Sequence, residues 1–246
     1  MLRFQILIFA ALFSLTAVGA TRPETHQPEP YQPKTQQDDS RDAMERGTEL
    51  FSRGQFELAI TQYRLALSWP GEHLARAHYN IGVCHYQLGR TREAVAEYRA
   101  ALKTTDGKYQ KASFALGVAL RELGEFAEAK RAFADVVRLS QEHDAEALFQ
   151  LALLISNEGN YELAEKYLRK AMNNSPRNFS GGHNNLGVLL AMRGRYDDAV
   201  REFKVALQQS NGQLTEASDN LKLCQTLVHS SSANLLASLK TTNQAQ

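Results

Sequence analysis

Cysteine is scarce in this sequence, which contains only Cys84 and Cys224 among 246 residues. Small domains that rely on disulfides for stability carry several cysteines close together in a short chain. Two isolated thiols cannot form such a framework. The sequence therefore excludes a disulfide-stapled fold, and stability must come from the burial of apolar side chains.

A surplus of charge of one sign is also missing. Lysine and arginine together number 28, against 27 for aspartate and glutamate. Proteins that bind nucleic acid carry a basic excess, because binding neutralises the phosphates of the backbone. We therefore expect no nucleic-acid partner.

The motifs that accompany common enzymatic chemistry are absent as well. The sequence has no phosphate-binding Gly-x4-Gly-Lys-Ser/Thr loop, no His-Glu-x2-His, no Gly-x-Ser-x-Gly elbow and no Cys-x2-Cys pair. Metal-ligand residue types cluster only at His78, Cys84 and His85. Neighbouring helical residues point about 100° apart, so these three cannot face one ion. We expect no enzyme activity, cofactor, metal or small-molecule substrate.

What the sequence does contain is an internal repeat. A glycine and an alanine five residues after it recur in register, each time after a step of 35 residues. The glycines are Gly54, Gly89, Gly124, Gly159 and Gly194, and the alanines are Ala59, Ala94, Ala129, Ala164 and Ala199. A period of this length indicates a solenoid, whose units bury their apolar faces against each other.

Two further positions of the repeat alternate small and large side chains. Seven residues before each turn glycine stands a residue small enough for two helices to approach closely, and nine residues after it stands a large apolar residue. The small set is Gly47, Gly82, Gly117, Ala152 and Gly187, and the large set is Tyr63, Tyr98, Phe133, Leu168 and Phe203. A left-handed glycine ends a helix at little steric cost. Each unit is therefore predicted to be a helical hairpin.

The pattern resembles the tetratricopeptide repeat (TPR) family, which has Leu-Gly-x2-Tyr, Gly, Ala, Phe/Tyr and Ala at these relative positions. The resemblance covers about residues 40–213 in five copies, with departures at Ala152 and Thr91. The related pentatricopeptide repeat, an RNA-binding family, usually has Met where this chain has alanine, as at Ala66 and Ala101, and is set aside. The resemblance implies an all-α, right-handed α-solenoid of five TPR hairpins plus a C-terminal capping helix.

The flanking segments differ in composition from the repeats. Residues 1–20 combine Arg3 with an apolar run and small closing residues, which predicts a signal peptide, and an uncleaved membrane anchor is the alternative. Residues 21–39 are Pro-rich and predict a disordered linker. The hairpins are expected at 40–73, 75–108, 110–143, 145–178 and 180–213, the cap at 215–229 and a flexible tail at 230–246. A docked tail, through Leu235, Leu236 and Leu239, is the alternative to the last.

Cys84 and Cys224 occupy the same position of the repeat, four units apart. Stacked units hold them much farther from each other than the roughly 4.4–6.8 Å between Cα atoms that a disulfide requires. No internal disulfide is expected. An intermolecular bond through Cys224 is the alternative to a buried thiol.

The resemblance implies that the first helix of each hairpin lines a groove. Three positions before the small residue, successive repeats carry aromatic residues that would form a ladder. The predicted groove residues are Arg41, Met44, Phe51, Arg76, Tyr79, Asn80, Tyr86, Lys111, Phe114, Arg121, Phe149, Gln150, Asn184 and Asn185. This groove is basic and aromatic at its N-terminal end and amide-rich at its C-terminal end. The two-carboxylate clamp known in the family is not expected, because only Asn80 and Lys111 match its residues.

These features predict a non-catalytic scaffold that binds a protein or peptide partner, an extended or helical segment with apolar side chains and acidic flanks. The predicted signal peptide suggests an exported location, periplasmic or secreted, or tethered to a membrane by the N-terminal segment. The alternative is a regulatory subunit that presents substrate to an envelope protease or peptidoglycan hydrolase.

Overall fold

A computed structural model describes residues 35–175, 179–229 and 239–241, all within one unit that spans Lys34–Gln246. Over these residues the chain forms eleven α-helices and no strand. They are α1 (Gln36–Ser52), α2 (Phe56–Ala66), α3 (His73–Gln87), α4 (Thr91–Lys103), α5 (Gln110–Glu122), α6 (Phe126–Leu139), α7 (Ala145–Asn157), α8 (Tyr161–Asn174), α9 (Ser180–Met192), α10 (Tyr196–Gln209) and α11 (Thr215–His229). The odd-numbered helices are called the first helices below, and the even-numbered ones the second helices.

The turn inside each hairpin has the same construction in all five repeats. Each turn glycine has φ between +72° and +80°, in the left-handed region that other residues rarely adopt. The residue after the glycine donates its N–H to the carbonyl five residues earlier, as from Gln55 to Leu50 (2.9 Å) and from Arg195 to Leu190 (2.9 Å). This is a Schellman cap, which satisfies the last carbonyls of the first helix. The repeated glycine therefore fixes where every first helix ends.

Between the two helices of a hairpin, the small residue of the first helix faces the large residue of the second. A Cβ atom added to Gly187 would lie 2.5 Å from a ring carbon of Phe203, and one added to Gly82 would lie 2.6 Å from Tyr98. The rings fill the space that the missing side chains leave. Both Phe203 and Tyr98 are buried.

Consecutive helices pack on each other throughout the chain, so each hairpin also contacts the next. The repeated alanines, such as Ala59 and Ala199, are completely buried, and their small side chains allow the helices to pack closely. A continuous apolar core runs from α4 to α11, and a second cluster joins α1, α2 and α3. The predicted all-α solenoid of helical hairpins is confirmed.

The structure differs from the sequence prediction at both ends of the solenoid. Helix α1 begins at Gln36, so residues 36–39 are helical and do not belong to the linker. Thr35 and Asp38 form a capping box there, with Asp38 N–H donating to Thr35 Oγ1 (3.2 Å) and Thr35 N–H donating to Asp38 Oδ2 (3.0 Å), which sets the start of the helix. Residues 239–241 of the predicted tail are bound to α9 and α11, and Leu239 packs against the core, in agreement with the alternative of a docked tail at this residue.

Other sequence predictions fall outside the described residues. These are the signal peptide, the linker up to residue 34, and residues 230–238 and 242–246 of the tail. None of the helices in the described part of the chain is long and apolar enough to span a membrane.

Both cysteines are free and completely buried. Burial raises the pKa of each thiol to about 11, so both are protonated at neutral pH. The intermolecular bond considered for Cys224 does not agree with this burial, because its sulfur cannot reach another molecule.

His85 is a buried titratable group in the core between α3 and α4. Its Nδ1 has no hydrogen-bond partner among the described residues, and burial lowers its pKa below 6.5, with Glu97 and Glu93 opposing the shift and Arg64 and Arg90 adding to it.

As the pH falls through 6.5, His85 in the unfolded chain therefore takes up a proton that the folded chain resists. We expect the free energy of unfolding to decrease in this window, by at most about 1.4 kcal/mol per pH unit for this one group. His85→Leu should remove this part of the slope, as measured by urea unfolding at about pH 7.5 and about pH 5.5. An unchanged slope in the variant would assign the pH dependence to other groups.

Candidate peptide-binding groove

The first helices of neighbouring repeats contact each other, as α1 with α3, α3 with α5, and α9 with α11. Together they form one layer, whose exposed face is the candidate groove. Along this face one position of the repeat changes charge from basic to acidic. The residues are Arg41, Arg76 and Lys111 in the first three repeats, and Glu146 and Glu216 in α7 and α11.

The N-terminal part of the groove is open. Two adjoining cavities of about 550 and 480 Å³ lie between α1 and α3, and both are lined by Arg41, Met44 and Arg76. Asn80 lines the second cavity. Met44 is only 3% exposed and forms an apolar floor, while both arginines are exposed at the rim. The structure thus brings these four predicted residues together, and we refer to this region as the N-terminal cavities.

The guanidinium of Arg41 is held only weakly by other residues of the protein. Its guanidinium pairs with Asp38 at 2.8 Å, on the exposed surface of α1. Exposed pairs of this kind contribute little to stability, because solvent screens them. A partner carboxylate can therefore compete for Arg41.

The predicted aromatic ladder is only partly exposed. Tyr79 is half-buried, with its ring centroid 5.9 Å from Tyr98 and 5.4 Å from Tyr109. Phe114 is half-buried and packs edge-on against Phe133 at 5.5 Å. Each ring thus has one side against the core and offers only its remaining surface to the groove.

Phe149 is not a groove residue, and its prediction as one is wrong. Its side chain is 0% exposed, with its ring centroid 5.2 Å from that of Phe179. The reason is that α7 is buried over the whole run Ala147–Ile155, on all of its faces. Phe149 belongs to the core of the solenoid.

Lys111 is exposed on α5, whereas four other predicted residues, Arg121, Gln150, Phe51 and Tyr86, have contacts within the protein. Arg121 donates to Gln150 Oε1 at 2.6 Å, and Gln150 donates to Glu146 Oε1 at 2.7 Å. Phe51 is half-buried against Phe56, with ring centroids 5.3 Å apart. Tyr86, also half-buried, hydrogen-bonds Glu122, which raises the pKa of its phenol.

At the C-terminal end of the groove, Asn184 and Asn185 are joined by a third amide, Asn220 of α11. All three are buried. Asn184 Nδ2 donates to Asn185 Oδ1 (3.2 Å), and Asn220 Nδ2 donates to Asn184 Oδ1 (2.9 Å). We call these residues the asparagine cluster.

Asn220 and its neighbour Asp219 are not among the groove residues predicted from the sequence. The signal was present, because Asn220 and Asp219 lie one 35-residue period after Asn185 and Asn184. The turn glycine and the alanine five residues after it mark each of the five repeats, but neither follows α11, so the repeat is not recognised there. Helix α11 keeps the groove-facing positions of a first helix and contacts α9 in the same layer.

The asparagine cluster holds residues 239–241, called the C-terminal segment below. Asn184 Nδ2 (3.0 Å) and Asn220 Nδ2 (2.6 Å) donate to the carbonyl of Lys240, and Lys240 N–H donates to Asn220 Oδ1 (2.8 Å). The Lys240 ammonium pairs with Asp219 at 2.9 Å. This part of the groove is therefore filled by the protein's own chain.

Within the part of the chain that the structure describes, no group of three or more His, Cys, Asp or Glu side chains could hold a metal ion. Several exposed carboxylates of the helices are paired with arginine, such as Glu57 with Arg90 and Glu128 with Arg99.

Comparison with solved structures supports the same architecture. A tetratricopeptide repeat protein from Parabacteroides merdae ATCC 43184 is similar, with a TM-score of 0.66 and 20% identity over 81% of this chain and 77% of the other. MamA from Desulfovibrio magneticus RS-1 matches with a TM-score of 0.63 and 20% identity over 72% and 98%. YrrB, described as a TPR protein with an unusual peptide-binding site, gives 0.63 and 22% over 72% and 90%.

No curated protein sequence matches this chain. Family models give a direct assignment. One model, described as tetratricopeptide repeat, matches residues 44–109 and 114–179, and a second with the same description matches residues 184–208. The first alone covers more than half of the sequence, in register with the hairpins described above. The chain therefore belongs to the tetratricopeptide repeat family.

Proposed function

We propose that this protein is a non-catalytic scaffold that binds a segment of another protein along the groove formed by its first helices. The observation that carries the proposal is the pair of N-terminal cavities, where two exposed arginines surround the apolar floor of Met44. Their volumes are those of ordinary ligand pockets, about 300–1,000 Å³. YrrB, which shares this fold, is described as having a peptide-binding site, and this supports a peptide as the kind of partner.

The partner segment has apolar side chains and acidic flanks. An apolar side chain would lie on Met44 and against the half-exposed ring of Tyr79, since aromatic rings give large contact areas at low entropic cost. Carboxylates would bind Arg41, Arg76 and Lys111, and arginine can bind a carboxylate through two parallel hydrogen bonds. The amide of Asn80 can hold the backbone of an extended segment.

The proposed location is outside the cytoplasm, in the periplasm or secretory space. The charge, apolar run and small closing residues of positions 1–20 support it. Mass spectrometry of the N-terminus of the chain from its native cell tests this point. A chain that begins at Thr21 agrees with export and cleavage, and a chain that retains Met1 contradicts cleavage.

The binding proposal is tested by reversing charge in the groove of the full-length protein. Arg76→Glu together with Lys111→Glu replaces two exposed cations of the groove with anions. We expect the amount of bound partner to fall at least about tenfold, because like charges now face the acidic flanks. The measurement is quantitative mass spectrometry of proteins crosslinked to the tagged protein in its native cell.

The matched control is Arg92→Glu together with Arg131→Glu, which changes the net charge equally on the second helices α4 and α6. Both residues are exposed. Partners that disappear in the groove variant and persist in the control support the proposal. Equal losses in the two variants, or no loss in either, would contradict it.

A further inference from the structure

The contacts of the C-terminal segment are those of a bound peptide. Three of its hydrogen bonds join side-chain amides of the asparagine cluster to backbone atoms of Lys240. Asn220 uses both ends of its amide, accepting from Lys240 N–H and donating to Lys240 C=O. A single asparagine that contacts both groups of one residue recognises an extended backbone and not a particular side chain.

The side chains of the segment add a sequence preference. Leu239 packs against the apolar core, and the Lys240 ammonium is paired with the exposed carboxylate of Asp219. Thr241 lies beside Asn185 and Leu189, over a small gap between α7, α8 and α9. The segment thus runs across several first helices, with an apolar, a basic and a hydroxyl residue in succession.

The asparagine cluster needs an occupant of this kind. Asn184 and Asn220 are both 0% exposed, and Lys240 accepts a hydrogen bond from each. A buried amide that loses its partner costs about 1–3 kcal/mol. Between the described residues, the segment is held by three backbone hydrogen bonds, the packing of Leu239 and one exposed ion pair, which solvent weakens. A competing segment can replace all of them at once.

We propose that Leu239-Lys240-Thr241 is an internal ligand, which occupies the C-terminal part of the groove until an extended apolar-basic segment of a partner displaces it. This inference rests on the proposed function, because it assigns the same groove a second binding region with its own ligand chemistry. The groove is basic at its N-terminal end and acidic at its C-terminal end, and this sets which residues of a partner bind at each end. Acidic residues bind at Arg41, Arg76 and Lys111, and basic residues bind at Asp219 and Glu216.

The test uses the chain's own peptide as a probe, so that it does not depend on an identified partner. A fluorescent peptide with the sequence of residues 236–246 is titrated into the full-length protein and into the full-length Leu239→Asp/Lys240→Asp variant. In the variant the segment can no longer pack its leucine or pair with Asp219. We expect the probe to bind the variant at least about tenfold more tightly than the wild type, in which the tethered segment competes at high effective concentration.

Charge reversal identifies the site. In a Leu239→Asp/Lys240→Ala background, whose own segment cannot pair with residue 219 of either charge, Asp219→Lys should weaken binding of the probe, and a probe with aspartate at the position of Lys240 should restore it. Asp219 is exposed, so this change leaves the core intact. Loss without restoration would contradict the assigned contact.

Equal affinity of the wild type and the variant would show that the segment does not occupy the groove, and no binding to either would show that the asparagine cluster does not hold a peptide.

Sedimentation of the wild type should give a monomer at all concentrations. A dimer that dissociates in the Leu239→Asp/Lys240→Asp variant would assign the occupant to a second copy and overturn the internal ligand. Each outcome is independent of the Arg76/Lys111 experiment, so the two proposals can fail separately.

Discussion

Phe149→Ala is expected to lower the free energy of unfolding by about 3–5 kcal/mol, the range for removing a fully buried phenylalanine. The residue is 0% exposed and lies in α7, where nine consecutive residues are buried. Its ring packs against Phe179, which precedes α9, so the substitution loosens the contact between two neighbouring repeats. Urea unfolding followed by circular dichroism measures the loss.

The matched control is Phe114→Ala, one repeat earlier at the same position of α5. Because Phe114 is only half-buried, the same deletion should cost clearly less. Equal losses of unfolding free energy in the two variants would show that Phe149 is no more buried than Phe114. The comparison also has a consequence for function: a joint substitution of Tyr79, Phe114 and Phe149 cannot isolate binding, because it removes part of the core.

Gly187→Ala is expected to destabilise the protein by about 1–3 kcal/mol, although alanine is the better helix former by about 1 kcal/mol. The new Cβ would lie 2.5 Å from a ring carbon of Phe203, which is itself completely buried and cannot move freely. The fourth repeat shows the compensation, since it has Ala152 in place of glycine and the smaller Leu168 in place of the ring.

Phe203→Leu should therefore rescue the glycine variant. By itself this change leaves a gap beside Gly187 and is destabilising, but in the double variant the new methyl group fills part of that gap. We expect a favourable coupling free energy of about 0.5–3 kcal/mol in the double-mutant cycle. If the two losses of unfolding free energy simply add, residue 187 and the ring of Phe203 do not contact each other. That result would contradict the packing described for every glycine-containing repeat.

The repeated features of the fold could be predicted from the sequence because each has a local cause. A left-handed glycine ends a helix, and a ring needs a glycine opposite it, so these positions recur wherever a hairpin forms. The start of α1 was missed because its capping box, Thr35 and Asp38, lies in a segment whose overall composition is that of a linker. A helix cap depends on two particular residues, whereas the composition of a segment is an average over many residues and does not show them.

The candidate site was predictable only where it follows the period. Arg41, Arg76 and Asn80, predicted from their helix positions, line the cavities between α1 and α3. The burial of Phe149 depends on Phe179, which comes from a connector between repeats and has an aspartate, Asp144, one period earlier. A docked tail was open as an alternative because of its leucines, but residues 239–241 follow no period, and only tertiary contacts with α9 and α11 show where they bind.

We expect the partner to bind on the face of the first helices. Site-specific photo-crosslinking in the native cell tests it most directly, with a photoreactive residue at position 80 of the full-length protein and the same residue at position 92 on α4 as the control. We expect a defined crosslinked partner from position 80 and none of that partner from position 92. Crosslinks to the same partner from position 92 alone would place binding on the second helices and show that the groove is not the binding surface.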